Sequence, residues 1–455
     1  MKINKYMSLI AFVFSPFVYA DAANYYQDIR PIIEKNCLSC HADSKVSFSF
    51  EDPEQAFAFH AAMNSAVQER RMPPWLAAPG VENYQNDISL SEDELKLFSE
   101  WANAGYPKGV DKKAAIATNK KIDNFSSDLS LKITKADYLP NQKNKDDYRC
   151  FLIDWPENED LYVTGFKATP GNLKIMHHLV LFTATPEMVE MLKYLDELDS
   201  KEGYQCYGGA LPDKLGDKKI TEKFEQKYPN GVKQLRDNNF WLGQWAPGTY
   251  GYEFPKNTGV PVKKGSILIA QMHYYSGYAP GEKDSNGQMD FKLTKHVDKP
   301  GMIYPLTDND WFNRPEENEM TIAPGEEKTL DVGISLDKIS NYIARHVNLD
   351  KSKIKNLELH SVNLHMHAYG SSGKTYLKSD NKDPQLLLSV PRWDLDWQRD
   401  FVFREGKIFP VDTLKQNKLF VECTFKNYSD KTVYGGVGSY DEMCFNFSYV
   451  ALDLE

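Results

Sequence analysis

Beyond residue 125 the apolar residues come in short runs, several of them alternating with polar ones. These are Leu129–Ile133, Leu161–Gly165, His178–Thr183, Ile267–His273, Leu330–Ile334, Leu357–Met366, Leu386–Val390, Leu419–Phe425 and Cys444–Val450. Gly, Pro, Asn and Asp cluster between them. Brief period-two runs bounded by turn residues predict strands, and many in succession predict an all-β sandwich or barrel. Met188–Leu198 and Ile220–Tyr228 carry helical spacing and read as helical insertions. One sandwich takes about 100 residues. The stretch is long enough for two, expected at residues 126–298 and 299–455.

The first quarter has a different texture. Tyr25–Lys35 predicts a short amphipathic helix. Ser91-Glu92-Asp93-Glu94 is a capping box, in which the Ser and Glu side chains satisfy each other's backbone N–H groups. It opens a helix through Leu95, Phe98, Trp101 and Ala102 that ends at Gly105-Tyr106-Pro107. Residues 21–110 therefore read as a small all-α unit. Residues 111–125, rich in Lys, Ala and Asn, read as a linker. Residues 1–20 carry Lys2 and Lys5, then the apolar run Met7–Tyr19 and a small Ala20, the pattern of a secretory signal peptide. That run is shorter than the ~20 apolar residues of a membrane span, and no later segment approaches it. An exported, periplasmic or secreted protein with no span in the mature chain is expected.

Bulk properties narrow the chemistry. A net charge of −10 provides no footprint for nucleic acid. Six cysteines are present. Cys37 and Cys40, with His41, form one C-x-x-C-H, the attachment signature of a c-type haem. The thiols add across the haem vinyl groups and the histidine becomes the fifth iron ligand. The other four cysteines are an even number in an oxidising compartment, so two disulfides are expected. Their order along the chain favours Cys150–Cys206 and Cys423–Cys444. For the sixth iron ligand Met72, in Arg71-Met72-Pro73-Pro74, is the first candidate, with Met63 and His60 as rivals.

Ten histidines are unevenly placed. His177 and His178 are adjacent, His273 sits between apolar residues, and His365-Met366-His367 is an H-x-H. Imidazole binds copper, iron, zinc or nickel. On a strand, positions i and i+2 share a face, so His365 and His367 can ligate one ion. Adjacent residues face opposite ways, so His177 and His178 can share an ion only at a bulge or a strand end.

The segment Lys174–Val180, the run Gln271-Met272-His273-Tyr274, the H-x-H and the tetrapeptide Asp441-Glu442-Met443-Cys444 occur here in the order found in copper type II, ascorbate-dependent monooxygenases. The chain resembles that family from about Asp128 to Val450. The resemblance implies two jelly-roll β-sandwich domains, each holding one copper. By it His177, His178 and His273 bind an electron-transfer copper. His365, His367 and Met443 bind the copper where O2 is activated, a thioether favouring Cu(I). The same disulfide pairs are implied. Two departures stand out. Peptidylglycine enzymes of the family clamp a substrate carboxylate with an arginine and a tyrosine where this chain has Asn363 and Phe447. Asparagine cannot make a bidentate ionic clamp, so a more apolar or neutral small-molecule substrate is expected. The fused haem segment is the other departure. It points to electrons from a periplasmic donor, in place of or beside an ascorbate-like reductant. The expectation is a multidomain protein, a small all-α cytochrome c domain followed by two jelly-roll sandwiches. It would hold one haem c and two coppers and hydroxylate a C–H bond with O2. The alternative is a non-catalytic electron-transfer or copper-binding protein of the same fold. Met443 argues against that alternative, because electron transfer alone needs no such site.

Overall fold

A computed structural model describes residues 22–38, 40–42, 48–85, 87–110, 125–143, 145–207, 210–212, 218–246, 251–277, 279–312, 319–380, 382–436 and 440–454. The expected signal peptide and nearly all of the expected linker lie outside the described residues. The chain divides into two compact units, residues 1–74 with 88–120, and residues 75–87 with 121–455.

In the first unit, a π-helical turn Tyr25–Ile29 runs directly into the helix Arg30–Asn36. The helices Pro53–Ala58, His60–Gln68 and Glu92–Asn103 follow. Each start has its chemical cause. Asn24 accepts from the Gln27 N–H, Asp52 from that of Glu54, and Ser91 and Glu94 close the predicted box. Tyr25, Ile29, Ile33, Met63, Val67, Phe98 and Trp101 form the core. The two middle helices were not legible in the sequence, because each spans only one to three turns and carries few bulky apolar positions.

In the second unit the described strands form sheets of nine, six and four strands. The nine-stranded sheet runs Leu129–Lys132, Gln288–Thr294, Leu161–Thr169, Thr258–Val262, Lys299–Leu306, Asn446–Leu454, Ile354–Val362 and Phe401–Pro410, with Tyr252–Glu253 paired beside the third. Its first half faces the six-stranded sheet Leu211–Pro212, Tyr204–Tyr207, Asp146–Asp154, Ile267–Tyr275, Met176–Ala184 and Asn239–Trp245. Between them lie Phe151, Phe166, Leu181, Leu268 and Phe291. Its second half faces the four-stranded sheet Glu327–Ser335, Asn417–Lys426, Gly370–Ser379 and Gln385–Val390, over Leu359, Leu388, Val421, Phe425 and Val450. Two sandwich-like halves therefore share one sheet. They join at a short parallel pairing, Thr258 with Lys299 and Gly259 with Pro300.

All nine predicted runs contribute to strands, apart from the His365 end of Leu357–Met366, which leaves the regular strand at Val362. Both predicted insertions are helical, at Val189–Leu198 and Lys218–Lys227, while Gly231–Asn238 and Leu336–His346 are additional helices. One segment departs from the continuous 21–110 unit expected from the sequence. Trp75–Asp87 packs with the β unit. The Ala78 N–H donates to the Ser389 carbonyl (2.8 Å), the Tyr84 hydroxyl to that of Leu387 (2.6 Å), and Trp75 packs edge-on to Phe401. Burying two aromatics in the second sandwich outweighs sequence proximity to the helices. Among the described residues no helix is long and apolar enough to cross a membrane.

The disulfides Cys150–Cys206 and Cys423–Cys444 are both formed. Cys444 follows Met443 directly, so the second bridge ties that segment to the central strand of the four-stranded sheet. Replacing Cys423 and Cys444 together by serine should lower unfolding stability by about 3 kcal/mol, measured by denaturant titration. An unchanged midpoint would show that the bridge contributes nothing to the fold.

Candidate metal centres

His178 lies on the strand Met176–Ala184 and His273 opposite it on Ile267–Tyr275. The register then slips. His273 pairs with His178, but Tyr274 pairs with Met176, leaving His177 as the extra residue of a bulge. The bulge lets two adjacent side chains reach one face. The ligand atoms of His177, His178 and His273 all lie within 4.8 Å of one another. The Nδ1 atom of His178 is 3.2 Å from that of His177 and 3.4 Å from that of His273. Three like nitrogens at that spacing repel unless an ion or protons lie among them. Burial, and after it the neighbouring imidazoles, holds His178 and His273 well below the ordinary histidine range, so both are neutral at pH 7.

Neighbours decide which nitrogen is free. Nε2 of His273 is 2.8 Å from Asp146 Oδ1, which fixes the Nε2–H tautomer and leaves the Nδ1 lone pair for an ion. Tyr148 stacks flat on the same ring, centroids 4.0 Å apart. Nε2 of His177 faces Asp396 Oδ1 at 3.7 Å.

The second set uses the opposite nitrogens. His365 lies just past the strand Ile354–Val362, in an isolated bridge to Phe445. Its N–H donates to the Phe445 carbonyl (2.9 Å) and its carbonyl accepts from the Phe445 N–H (3.0 Å). Its Nδ1 bonds Gln398 Oε1. His367 Nδ1 meets the Asp441 carbonyl at 3.1 Å. Both rings thus turn Nε2 outward, with centroids 5.2 Å apart, while Met366 between them is buried in the core. Trp393 Nε1 donates to the His367 carbonyl (3.1 Å).

Glu442 ties the Met443 segment to these histidines. The fully buried Glu442 carboxylate accepts from the backbone N–H groups of His367 (2.9 Å), Tyr369 (2.6 Å) and Met443 (3.2 Å). Asp441 bonds His367 and Phe445 pairs with His365, so Met443 lies midway along a segment anchored to both histidines. The residues of both sets fit copper, with three imidazoles in one and two imidazoles beside a thioether segment in the other. One short segment touches both sets, Asp396 Oδ1 standing 3.7 Å from His177 Nε2 and Gln398 Oε1 meeting His365 Nδ1.

At the position of the family's arginine, Asn363 Nδ2 donates to the Arg399 carbonyl and to Asp400 Oδ1, both at 2.9 Å. At that of the tyrosine, Phe447 lies 4.3 Å from Trp241 and 5.3 Å from Phe445, measured between ring centroids, and 6.0 Å from His365. The surroundings of His365 on this side are aromatic.

In the helical unit Cys37 and Cys40 are not bridged to each other. His41 Nδ1 faces the Phe48 carbonyl at 3.2 Å, leaving Nε2 for an iron. Phe48 and Phe59, stacked on each other near the His41 ring, are exposed by 40% and 38%. Two unbridged thiols and partly exposed aromatic rings beside the imidazole are compatible with a haem. Met63 packs within the helical core, whereas Met72 is half-buried outside that cluster. His60 Nδ1 is 3.0 Å from the Phe57 carbonyl. His360, near the H-x-H, is not brought to the centre; its Nε2 is 3.1 Å from Glu358.

The geometry defines a β-rich protein with two histidine sets. Residues 317–452 match the family described as copper type II ascorbate-dependent monooxygenase, C-terminal domain. Dopamine beta-hydroxylase of Homo sapiens is 20% identical over 374 residues, covering 79% of this chain and 52% of that protein. The protein of the same name from Canis lupus familiaris is 20% identical over 321 residues, covering 67% and 43%. The chain thus spans about half the length of the curated relatives it matches. A solved structure of PNGF-II aligns over 80% of this chain and 71% of that one, at 11% identity and a TM-score of 0.29. The sequence matches support the copper monooxygenase family.

Sequence reasoning did not find Asp146, Asp396 or Gln398. No pattern marks them, since each meets its histidine only in the fold. Glu442 was visible in its tetrapeptide, but not its role.

Two predictions follow from these contacts. Asp146→Asn should weaken copper binding at His177, His178 and His273 about 10- to 100-fold, read by competition with a chelator; unchanged affinity would show that the carboxylate does not orient His273. Burial pushes Glu442 up to about 7, against the backbone N–H groups that favour its charge. The folded state therefore binds this proton more tightly than the unfolded state. Stability from this group is complete below pH 4.5 and is lost as pH rises to 7. In the metal-free protein Glu442→Gln should abolish that part of the decline, roughly 3 kcal/mol, in denaturant titrations across the range.

Proposed function

We propose that this protein is an exported copper monooxygenase that hydroxylates a C–H bond of a small, largely apolar substrate with O2. The observation that carries the reading is the opposed presentation of ring nitrogens. Three Nδ1 atoms converge on one side and two Nε2 atoms, beside the Met443 segment, on the other. Pure electron transfer does not need the second arrangement. When bound, the coppers supply one-electron transfer and O2 activation.

The chain's own residues do the rest. His177, His178 and His273 hold the first ion, with Asp146 setting the tautomer of His273. His365, His367 and Met443 hold the second, oriented by Gln398, the Asp441 carbonyl and Glu442. Phe445, Phe447 and Trp241 exclude water on the side of His365 and provide an aromatic surface for an apolar substrate. Both Asn363 amide hydrogens are engaged by Arg399 and Asp400, so a carboxylate-ended peptide finds no clamp here. Cys37 and Cys40 would hold a covalent haem c, and His41 and Met72 would supply its iron ligands. Its chemistry is one-electron transfer, suited to a periplasmic donor or an ascorbate-like reductant.

The test is a metal and haem count on the purified, copper-reconstituted protein, with O2 uptake under a reductant in wild type and Met443→Ala. One haem and two coppers per chain, with O2 uptake at least tenfold lower in the variant, is expected. Zinc or no ion at the histidine sets, or uptake indifferent to Met443, would refute the reading. Cys37→Ala with Cys40→Ala should abolish haem that survives denaturation on a gel.

A further inference from the structure

The two histidine sets belong to different sandwiches, yet one short segment touches both. Asp394 accepts from the Asp396 N–H (3.0 Å) and opens a single 3-10 turn, Leu395–Trp397. From Asp396 within it, every second side chain reaches a different part of the double centre. Asp396 Oδ1 stands 3.7 Å from His177 Nε2. Gln398 Nε2 donates to the Leu395 carbonyl (3.0 Å), which fixes the amide so that its Oε1 meets His365 Nδ1. Asp400 divides its oxygens, Oδ1 accepting from Asn363 (2.9 Å) and Oδ2 from Gln244 (2.6 Å). Gln244 sits opposite Val180 in the register of the His178 strand, and Asn363 is two residues before His365.

Elsewhere the sandwiches are joined by the short parallel pairing of Thr258 with Lys299 and Gly259 with Pro300, and by the packing of Trp241 on Phe447 and of Phe254 on Tyr449. Residues 394–400 differ from these contacts in touching a histidine of each set directly.

Resting on the two-copper reading above, we propose that residues 394–400 form a strap that fixes the spacing of the two metal centres. In it Asp396 and Gln398 are positioning residues for His177 and His365, and Asp400 is the anchor between sandwiches. The Gln398 contact also holds His365 as the Nδ1–H tautomer, leaving Nε2 for the ion.

The strap is tested on the full chain loaded with two Cu(II) ions, whose mutual dipolar splitting in electron paramagnetic resonance reports their separation. Copper content and thermal midpoint are measured on every sample. Asp396→Ala touches only the three-histidine set. It is expected to keep two coppers and an unchanged midpoint, and yet to alter the intersite splitting and the hyperfine pattern of the copper at His365. Asp396→Asn, which keeps an oxygen toward His177, should restore both. Gln398→Ala should lower copper affinity at His365 and His367 about 10- to 100-fold. If Asp396→Ala leaves the splitting and the His365 signal as in wild type, at full copper content, the strap is refuted while the monooxygenase reading stands. If wild type binds no copper pair, both fail together.

Discussion

A neutral imidazole has one lone pair, and the nitrogen that carries it decides where an ion can sit. Each ring here is therefore only as useful as the group holding its other nitrogen. Asp146 engages Nε2 of His273 and turns Nδ1 inward. Gln398 and the Asp441 carbonyl engage Nδ1 of His365 and His367 and turn Nε2 outward. Five histidines of one chemical kind thus become two sets of opposite presentation. The unlike tasks proposed for the two centres depend on this choice.

The architecture exists to bring those outer groups into place. The bulge at His177 trades one step of strand alternation for a second ligand on the same face. Glu442 contributes a buried carboxylate where a turn would otherwise leave three backbone N–H groups without acceptors, and so binds the H-x-H to the segment bearing Met443. The Cys423–Cys444 bridge then fixes that segment from behind. The shared sheet carries the two halves, and the packing of Trp241 on Phe447 and of Phe254 on Tyr449 joins them beside it.

Much of the candidate site was legible in the chain. Met443 stood out only through the resemblance its tetrapeptide carries, whereas the C-x-x-C-H, the His-His pair and the H-x-H are local patterns that single out candidate ligands. The strand texture was legible for the same reason, since a sheet with one buried face imposes period two on its sequence. Strands such as Asp146–Asp154 and Phe401–Pro410 escaped because charged residues interrupt their apolar positions. The helices Pro53–Ala58 and His60–Gln68 escaped because they are too short to show a period. Trp75–Asp87 looked like part of the helical unit because it lies within its sequence span.

By itself the sequence determined the candidate ligand residues and their order, the cysteine pairs and a β-rich fold, because these are written in residues close together or in repeating patterns. Only the tertiary structure decided which nitrogen each histidine offers, that His177 is the bulged residue, and that Trp75 and Tyr84 join the second sandwich. It also decided that Asp146, Glu442 and Gln398 orient the ligands. Those outcomes depend on groups brought together from distant strands, where burial and hydrogen-bond satisfaction choose among partners that no local spacing distinguishes.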